Sequence, residues 1–202
     1  MKRVVFSVAL VLGLGLSGVQ AQIMGGIKLD ANLSNFILSD MDNTDSKMGF
    51  GLSVGGYTKI GFTELIGFQP EILLHYKNSK MELGSIERDF QYFGVEMPLY
   101  LAIQAGNFFV NVGPYVGLGI DARYKEGSGL PEFELYKEYG GQKSAMQRWD
   151  FGAGTMFGYE FGSGLQINAG YKIGFVNALN DSDKASMLNS TISVGLGYRF
   201  GK

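Results

Sequence analysis

The stretch GFQPEILLHYKNSK, residues 67–80, alternates apolar and polar side chains and therefore predicts a β-strand. Phe68 and Ile72 lie on its apolar face, whereas Glu71 lies on the polar one. Pro70 interrupts the pattern, because proline has no N–H for a ladder hydrogen bond and is normally confined to sheet edges and bulges. The fold must therefore be a sheet that accepts a proline inside a strand.

Two further strand-like segments, VEMPLYL and NVGPYVGLG, carry the same anomaly at Pro98 and Pro114. Folding the chain at the short turn AGN predicts Pro98 opposite Gly113 and Pro114 opposite Met97. Pro70, on the preceding strand, is expected close to residues 95–97. The three prolines then form one band across adjacent strands, which we interpret as a bulge, with a functional soft seam as the alternative.

The same alternation recurs along the whole chain. Eight candidate strands follow from it, at residues 26–36, 49–60, 65–77, 90–104, 108–121, 148–161, 165–177 and 189–200. The connectors alternate between short and long, and the longest is residues 122–147. Short periplasmic turns and long extracellular loops are typical of a membrane barrel. We predict an all-β fold, an eight-stranded antiparallel up-and-down transmembrane β-barrel with both termini on the periplasmic side.

The two faces of the predicted strands differ in composition. One is almost free of charge, and the other mixes glycine with polar groups, which suits a crowded lumen better than the wetted surface of a lipocalin-type barrel. Candidate lumen residues are Lys28, Asp30, Glu71, Glu96, Tyr115, Asp150, Lys172 and Arg199, with Lys59, Arg148, Asp121 and Glu160 as further inward charges. Glu71 and Glu96 are expected to face each other across neighbouring strands. Near-equal numbers of acids and bases predict internal ion pairs.

The composition restricts the possible chemistry. The chain has 202 residues with 31 glycines, a net charge of −2, one histidine and no cysteine. The absence of cysteine excludes disulfides and thiolate metal sites, and the lack of a basic surplus argues against nucleic-acid binding. His75 has no histidine or cysteine partner. We therefore predict no catalytic residues, no cofactor and no metal, and the protein is not expected to be an enzyme.

The first residues, MKRVVFSVALVLGLGLSGVQA, have the layout of a secretory signal peptide. Lys2 and Arg3 precede an apolar run that ends at the small residue Ala21. The run is short for a membrane span, so cleavage after Ala21 is favoured over an uncleaved anchor. We predict a signal peptide at 1–21 and a barrel domain at 22–202.

Several segments resemble, in order, an outer-membrane β-barrel domain family described as PorT-like or "porin family". They are FQPEILLHYKNSK, VEMPLYLAI, VNVGPYVGLGI, WDFGAGTMFGYEF, LQINAGYKIGFVN and SVGLGYRF. The resemblance implies an outer-membrane location. It also implies, as an alternative function, a role as an accessory of a protein secretion machine.

Eight strands enclose a lumen that side chains just fill, so a general porin is not expected. The predicted function is a structural or interaction role through the extracellular loops, with a secretion accessory as the alternative and a small-solute channel or outer-membrane enzyme third. Candidate loop binding residues are Arg123, Tyr124, Tyr136 and Tyr139. Expected partners are outer-membrane lipid and lipopolysaccharide, the barrel-assembly machinery through the C-terminal strand, and, in the secretion-accessory alternative, secretion-machine proteins. A monomer is expected.

Overall fold

The computed structural model describes residues 22–41, 43–83, 86–126, 132–138, 140–141, 143–180 and 185–201. The predicted signal peptide and Tyr139 lie outside these residues. The strands are β1 Gln22–Ser39, β2 Thr44–Gly61, β3 Ile66–Leu83, β4 Ile86–Ala105, β5 Phe108–Glu126, β6 Phe133–Glu134, β7 Trp149–Glu160, β8 Leu165–Gly174 and β9 Ser186–Arg199. No helix in this part of the chain is long and apolar enough to cross a membrane.

Eight of these strands form a closed antiparallel ring in the order β4-β3-β2-β1-β9-β8-β7-β5, and β4 pairs with β5 to close it. The two-residue strand β6 pairs only with β5. The chain enters β1 and leaves β9 at the end of the barrel that carries the short turns; we call the opposite end the outer end. The prediction of an eight-stranded up-and-down barrel is confirmed.

Alternation along each strand separates an apolar outer surface from a polar interior. In β3, Ile72 is 59% exposed whereas its neighbour Glu71 is 1% exposed. Aromatic pairs lie on the outside near the termini, with Phe108 against Tyr159 and Tyr198 against Phe200. This orientation is opposite to that of a lipocalin, since apolar side chains face outward and can meet lipid.

Strands β1 to β5 extend well beyond the predicted boundaries, to 18–20 residues each. A tilted strand needs about 9–11 residues to cross a bilayer. The predicted connectors at 37–48 and 78–89 are therefore mostly strand. At the outer end polar residues occur on both strand faces, so the alternation that marks a lipid-facing strand disappears from the sequence.

The part of the barrel wall formed by β7, β8 and β9 extends less far toward the outer end, because these strands have only 12, 10 and 14 residues. Pairing between β5 and β7 stops at Leu118 and Trp149. Residues 132–138, 140–141, 143–148 and 175–180, which we call the cap, lie at this end. They cover an apolar cluster inside the outer end of the barrel, formed by Phe36, Met81, Phe90, Ala122, Leu135, Met146, Ala178 and Met187.

The predicted alignment of the prolines is wrong by two residues. Pro98 lies opposite Tyr115 rather than Gly113, and Pro70 lies opposite Leu99. The connection between β4 and β5 is a two-residue turn in which Gly106 has a φ of 59°, and such tight hairpin turns favour glycine in this conformation. The prediction placed the turn correctly, at AGN, but the pairing counted from it was two residues out of register, since Ala105 pairs with Phe108.

The prolines nevertheless occupy one band across β3, β4 and β5. The pairing has the same register on both sides of each proline, so the predicted bulge does not occur there. Register shifts lie instead between Met48 and Leu52 and between Phe93 and Gly94, nearer the outer end. Whether the band is a soft seam stays a prediction.

Candidate functional site in the lumen and its cap

An anionic cluster of ionic side chains occupies the lumen. The Lys28 ammonium lies 3.3 Å from the Asp30 carboxylate and 3.3 Å from the Glu71 carboxylate. It also contacts the sulfur of Met156 at 2.9 Å. Gln69 donates a hydrogen bond of 2.9 Å to the other oxygen of Glu71. One cation thus serves two carboxylates, and the cluster has a net charge of −1.

A second cluster has the opposite stoichiometry. The Glu96 carboxylate accepts hydrogen bonds from Lys77, at 3.0 Å, and from Lys172 through its other oxygen. Two cations therefore serve one carboxylate, giving a net charge of +1. The six charged groups of the two clusters sum to zero, and none is more than 8% exposed. Such buried charges are tolerated only when paired, and each charge of the two clusters has a partner of opposite sign.

The pairing differs in detail from the sequence prediction. Glu71 and Glu96 lie on the same face of adjacent strands, but each binds lysines rather than the other carboxylate. Lys77 was not among the predicted lumen residues. The signal was present in the sequence, since Lys77 shares the parity of Glu71 and His75 along β3.

Asp150 and Tyr115 lie in the outer half of the lumen. Oδ2 of Asp150 accepts hydrogen bonds from the Tyr115 hydroxyl, at 3.0 Å, and from the Asn189 amide, at 2.9 Å. Oδ1 of Asp150 has no hydrogen-bond partner. Both partners of this carboxylate are neutral, which distinguishes it from Glu71 and Glu96.

Arg199 lies near the termini and is paired with Glu160 at 2.8 Å. Lys59 donates a hydrogen bond to Gln104 at 2.5 Å. Asp121 does not face the lumen as predicted. It lies 2.9 Å from Arg123 and its side chain is 43% exposed, because the register shift near Gly94 reverses the parity of β5 beyond this point.

Arg148 is not a lumen base either but a clamp at the end of the β5–β7 pairing. Its guanidinium donates hydrogen bonds to the carbonyl oxygens of Gly119, at 3.3 Å, and Ile120, at 3.1 Å. It also donates to the carbonyl oxygen of Tyr136 at 3.3 Å. The side chain therefore binds the edge of β5 to the cap just beyond Leu118, where the pairing of β5 with β7 has ended.

Of the predicted loop binding residues, Arg123, Tyr124 and Tyr136 do not lie in a free loop. Arg123 and Tyr124 belong to β5, and the Tyr124 ring is stacked between Phe90 and Phe133. Arg123 lies 3.2 Å from Glu132. Tyr136 belongs to the cap, where burial raises its pKa to about 12.

A closed antiparallel ring with an apolar outside and a polar, ion-paired inside defines a small membrane β-barrel. The chain belongs to the family of the outer membrane protein beta-barrel domain, whose sequence model matches residues 6–200. This membership implies the outer membrane as its location. No curated protein sequence matches the chain.

Several solved outer-membrane barrels are similar in fold. Neisserial surface protein A is 13% identical, with a TM-score of 0.49, over 87% of this chain and 97% of that protein. Ail of Yersinia pestis, solved with the heparin analogue sucrose octasulfate, is 16% identical, with a TM-score of 0.48, over 89% and 99%. OprG of Pseudomonas aeruginosa is 13% identical, with a TM-score of 0.43, over 91% and 100%.

Proposed function

We propose that the chain is a non-conducting outer-membrane barrel that acts as a structural or interaction protein through its outer end. The observation that carries this proposal is the Glu96 carboxylate, which binds Lys77 and Lys172 from β3 and β8 within the lumen. Pore formation would require these buried charges to separate. Separation is unfavourable because each charge would lose its partner in a site of restricted hydration.

The cap supports the same proposal. Its residues Leu135, Met146 and Ala178 pack into the apolar cluster above the ion pairs. The cap and the exposed outer ends of β2 to β5 are then the surface available to partners outside the cell. The proposal includes no catalytic step, cofactor or metal.

Conductance measurements test the closed lumen. The purified barrel is inserted into planar bilayers, and its folded state is verified by heat-modifiable migration in gels. We expect no stable conductance steps in the wild-type protein. Steady ohmic conductance from verified folded barrels would contradict the proposal and favour a small-solute channel.

Partner capture tests the interaction role. Intact cells carrying the wild-type chain are compared with cells carrying a variant whose cap residues 132–138 are replaced by a Gly-Ser linker, after surface cross-linking. We expect a cross-linked species that depends on these residues. Identical cross-linking patterns from the two strains would contradict an interaction role for the cap.

An accessory role in protein secretion is the alternative, supported by the PorT-like resemblance of the sequence segments. It predicts co-purification with periplasmic or membrane secretion components at stoichiometric levels. We further propose that the barrel-assembly machinery reads the C-terminal strand, since β9 ends at Arg199 and closes the barrel against β1. The apolar outer surface would contact lipid and lipopolysaccharide, and the barrel would act as a monomer.

A further inference from the structure

Arg148 lies where the apolar outer surface of the barrel ends. On β5 the exposed apolar side chains Leu118 and Ile120 are followed by the charged Asp121. The Arg148 guanidinium binds the carbonyl oxygen of Ile120 at this boundary, and the side chain is itself exposed. Its chain neighbour Trp149 is 54% exposed. An exposed tryptophan at the end of an apolar surface is typical of the level at which lipid headgroups meet water.

The charge of Arg148 is not neutralised by an ion pair. No carboxylate in the described part of the chain forms one with its guanidinium. Asp121, which follows Ile120, is instead paired with Arg123 at 2.9 Å. Other exposed cations of the outer end do have carboxylate partners, and they are Lys47, Lys80, Arg123, Lys125 and Lys137. An exposed guanidinium without a counter-charge at the headgroup level attracts an anion.

The Arg148 guanidinium is held in place and retains unused donors. Nη1 donates to the carbonyl oxygens of Gly119 and Ile120, and Nη2 donates to that of Tyr136. The Tyr136 ring centre lies 4.8 Å from the guanidinium carbon. These bonds leave one N–H of Nη2 and the N–H of Nε without a partner among the described residues. A guanidinium that is already fixed loses little freedom on binding a ligand, which favours affinity.

We propose that Arg148 binds the phosphate group of a lipid headgroup at the outer surface of the membrane. Arginine binds phosphate through charge-assisted hydrogen bonds of about 2.7–2.9 Å, and neighbouring N–H groups of one guanidinium bind two phosphate oxygens. Leu118 and Trp149 then contact the apolar part of the same lipid. Phosphorylated lipid A, the membrane anchor of lipopolysaccharide, has this chemistry. The inference rests on the lipid contact proposed above, but not on the closed lumen or on a partner of the cap.

Solid-state NMR tests the site in the full barrel, labelled at arginine and reconstituted in vesicles of bisphosphorylated lipid A. Dephasing of each guanidinium signal by phosphorus shows which arginine contacts phosphate. We expect strong dephasing at Arg148 and clearly weaker dephasing at Arg123, which is exposed but paired. Equal dephasing at the two, or none at Arg148, would overturn the proposal. Contact of Phe151 with acyl-chain protons, read in the same sample, separates failure of this site from failure of the barrel to contact lipid.

Matched variants test the role of the charge, with native mass spectrometry as the measure of lipid A binding. Arg148→Gln should weaken binding of phosphorylated lipid A by about tenfold or more, as expected for hydrogen bonds to a charged group. Binding of dephosphorylated lipid A should not change. Arg123→Gln removes the same charge from the paired arginine and should change neither.

Three outcomes of this measurement contradict the site. They are an equal loss in both variants, a loss in Arg148→Gln that is as large for dephosphorylated lipid A, and competition by inorganic phosphate at the concentration of the lipid. The second would show that a loosened cap weakens binding without any role for phosphate. The third would show a site for a free anion. If Arg148→Gln does not fold, the NMR result on the wild type decides.

Discussion

The guanidinium of Arg148 lies 4.8 Å from the centre of the Tyr136 ring and donates a hydrogen bond to the carbonyl oxygen of the same residue. The same guanidinium binds two carbonyl oxygens of β5. One side chain thus binds backbone carbonyl groups of β5 beyond the end of its pairing with β7, and so joins the barrel wall to the cap. The attachment of the cap depends on this planar, multiply donating group.

Replacing Arg148 with lysine should loosen the cap. A lysine ammonium cannot donate to three carbonyl groups in the fixed planar arrangement of a guanidinium, nor stack on Tyr136 in the same way. We expect faster hydrogen–deuterium exchange in residues 132–138 and 119–126, measured by mass spectrometry. Arg199→Lys is the matched control, because Arg199 lies near the termini, where its guanidinium binds Glu160 far from these segments. Equal exchange in the two variants would refute the clamp.

Gly119 allows Tyr136 to approach the barrel wall. A Cβ added at Gly119 would lie 2.1 Å from the Tyr136 hydroxyl oxygen. Gly119→Ala should therefore displace Tyr136 and destabilise the cap by about 1–3 kcal/mol, as overpacking typically does. The cost should be read from urea unfolding, and it should fall when Tyr136→Leu is added to the same chain. Gly162→Ala is the control, since nothing lies within 4 Å of a Cβ at that site. A loss of unfolding free energy in Gly162→Ala as large as that in Gly119→Ala would contradict the argument.

Loss of the Glu96 carboxylate should be more harmful than loss of one of its lysines. Glu96→Gln leaves Lys77 and Lys172 buried without a counter-charge, so we expect a loss of about 3–5 kcal/mol. Lys172→Met leaves Glu96 paired with Lys77 and should cost less. Unfolding in lipid vesicles can be followed by the fluorescence of Trp149, the only tryptophan. The exposed pair of Lys47 and Glu82 provides the control, for which Lys47→Met should cost about 0–1 kcal/mol. A loss for Lys172→Met that equals or exceeds that of Glu96→Gln would argue against this ranking.

The proline band should exchange backbone amides faster than an uninterrupted ladder. Pro70 and Pro98 each remove one donor from the sheet, whereas β1 and β2 pair without interruption from Gln22 to Ser34. We expect amides at 71–72 and 99–100 to exchange faster than those at 27–31, measured by NMR in nanodiscs. Equal rates would eliminate the soft seam.

The contact between β5 and β6 should weaken in acid. Glu132 accepts a hydrogen bond from Lys125, at 2.5 Å, and another from Arg123, and these bonds lower the pKa of Glu132 below its ordinary value of 4.5. When the pKa of a carboxyl group is lower in the folded state than in the unfolded state, its ionisation stabilises the fold at any pH above the unfolded-state pKa. This stability is lost as the pH falls through the folded-state pKa. Amide shifts of Arg123 and Glu134 should therefore change with a midpoint below 4.5. In Glu132→Gln they should show no such transition, and a midpoint above 4.5 in the wild type would contradict the assignment.

The sequence predicted the barrel well where lipid imposes a strict pattern. Alternation around Ile72 or Leu196 follows from one face meeting lipid and the other meeting the lumen, so strand number and orientation could be read directly. It failed at the outer ends of β1 to β5, where the outward face is no longer apolar and the inward face includes buried apolar side chains such as Phe36 and Phe90. It also missed the parity reversal that turns Asp121 outward, because an extra residue in a strand leaves little trace in composition.

The sequence by itself determined an eight-stranded barrel with an apolar exterior and a polar interior, since each strand carries that pattern locally. Only the tertiary structure decided that Glu96 binds Lys77 and Lys172, and that Arg148 clamps the cap. These contacts join residues from different strands, and their partners depend on strand register and on bulges. Register is set by the turns and by the closure of the whole ring, which no single segment encodes.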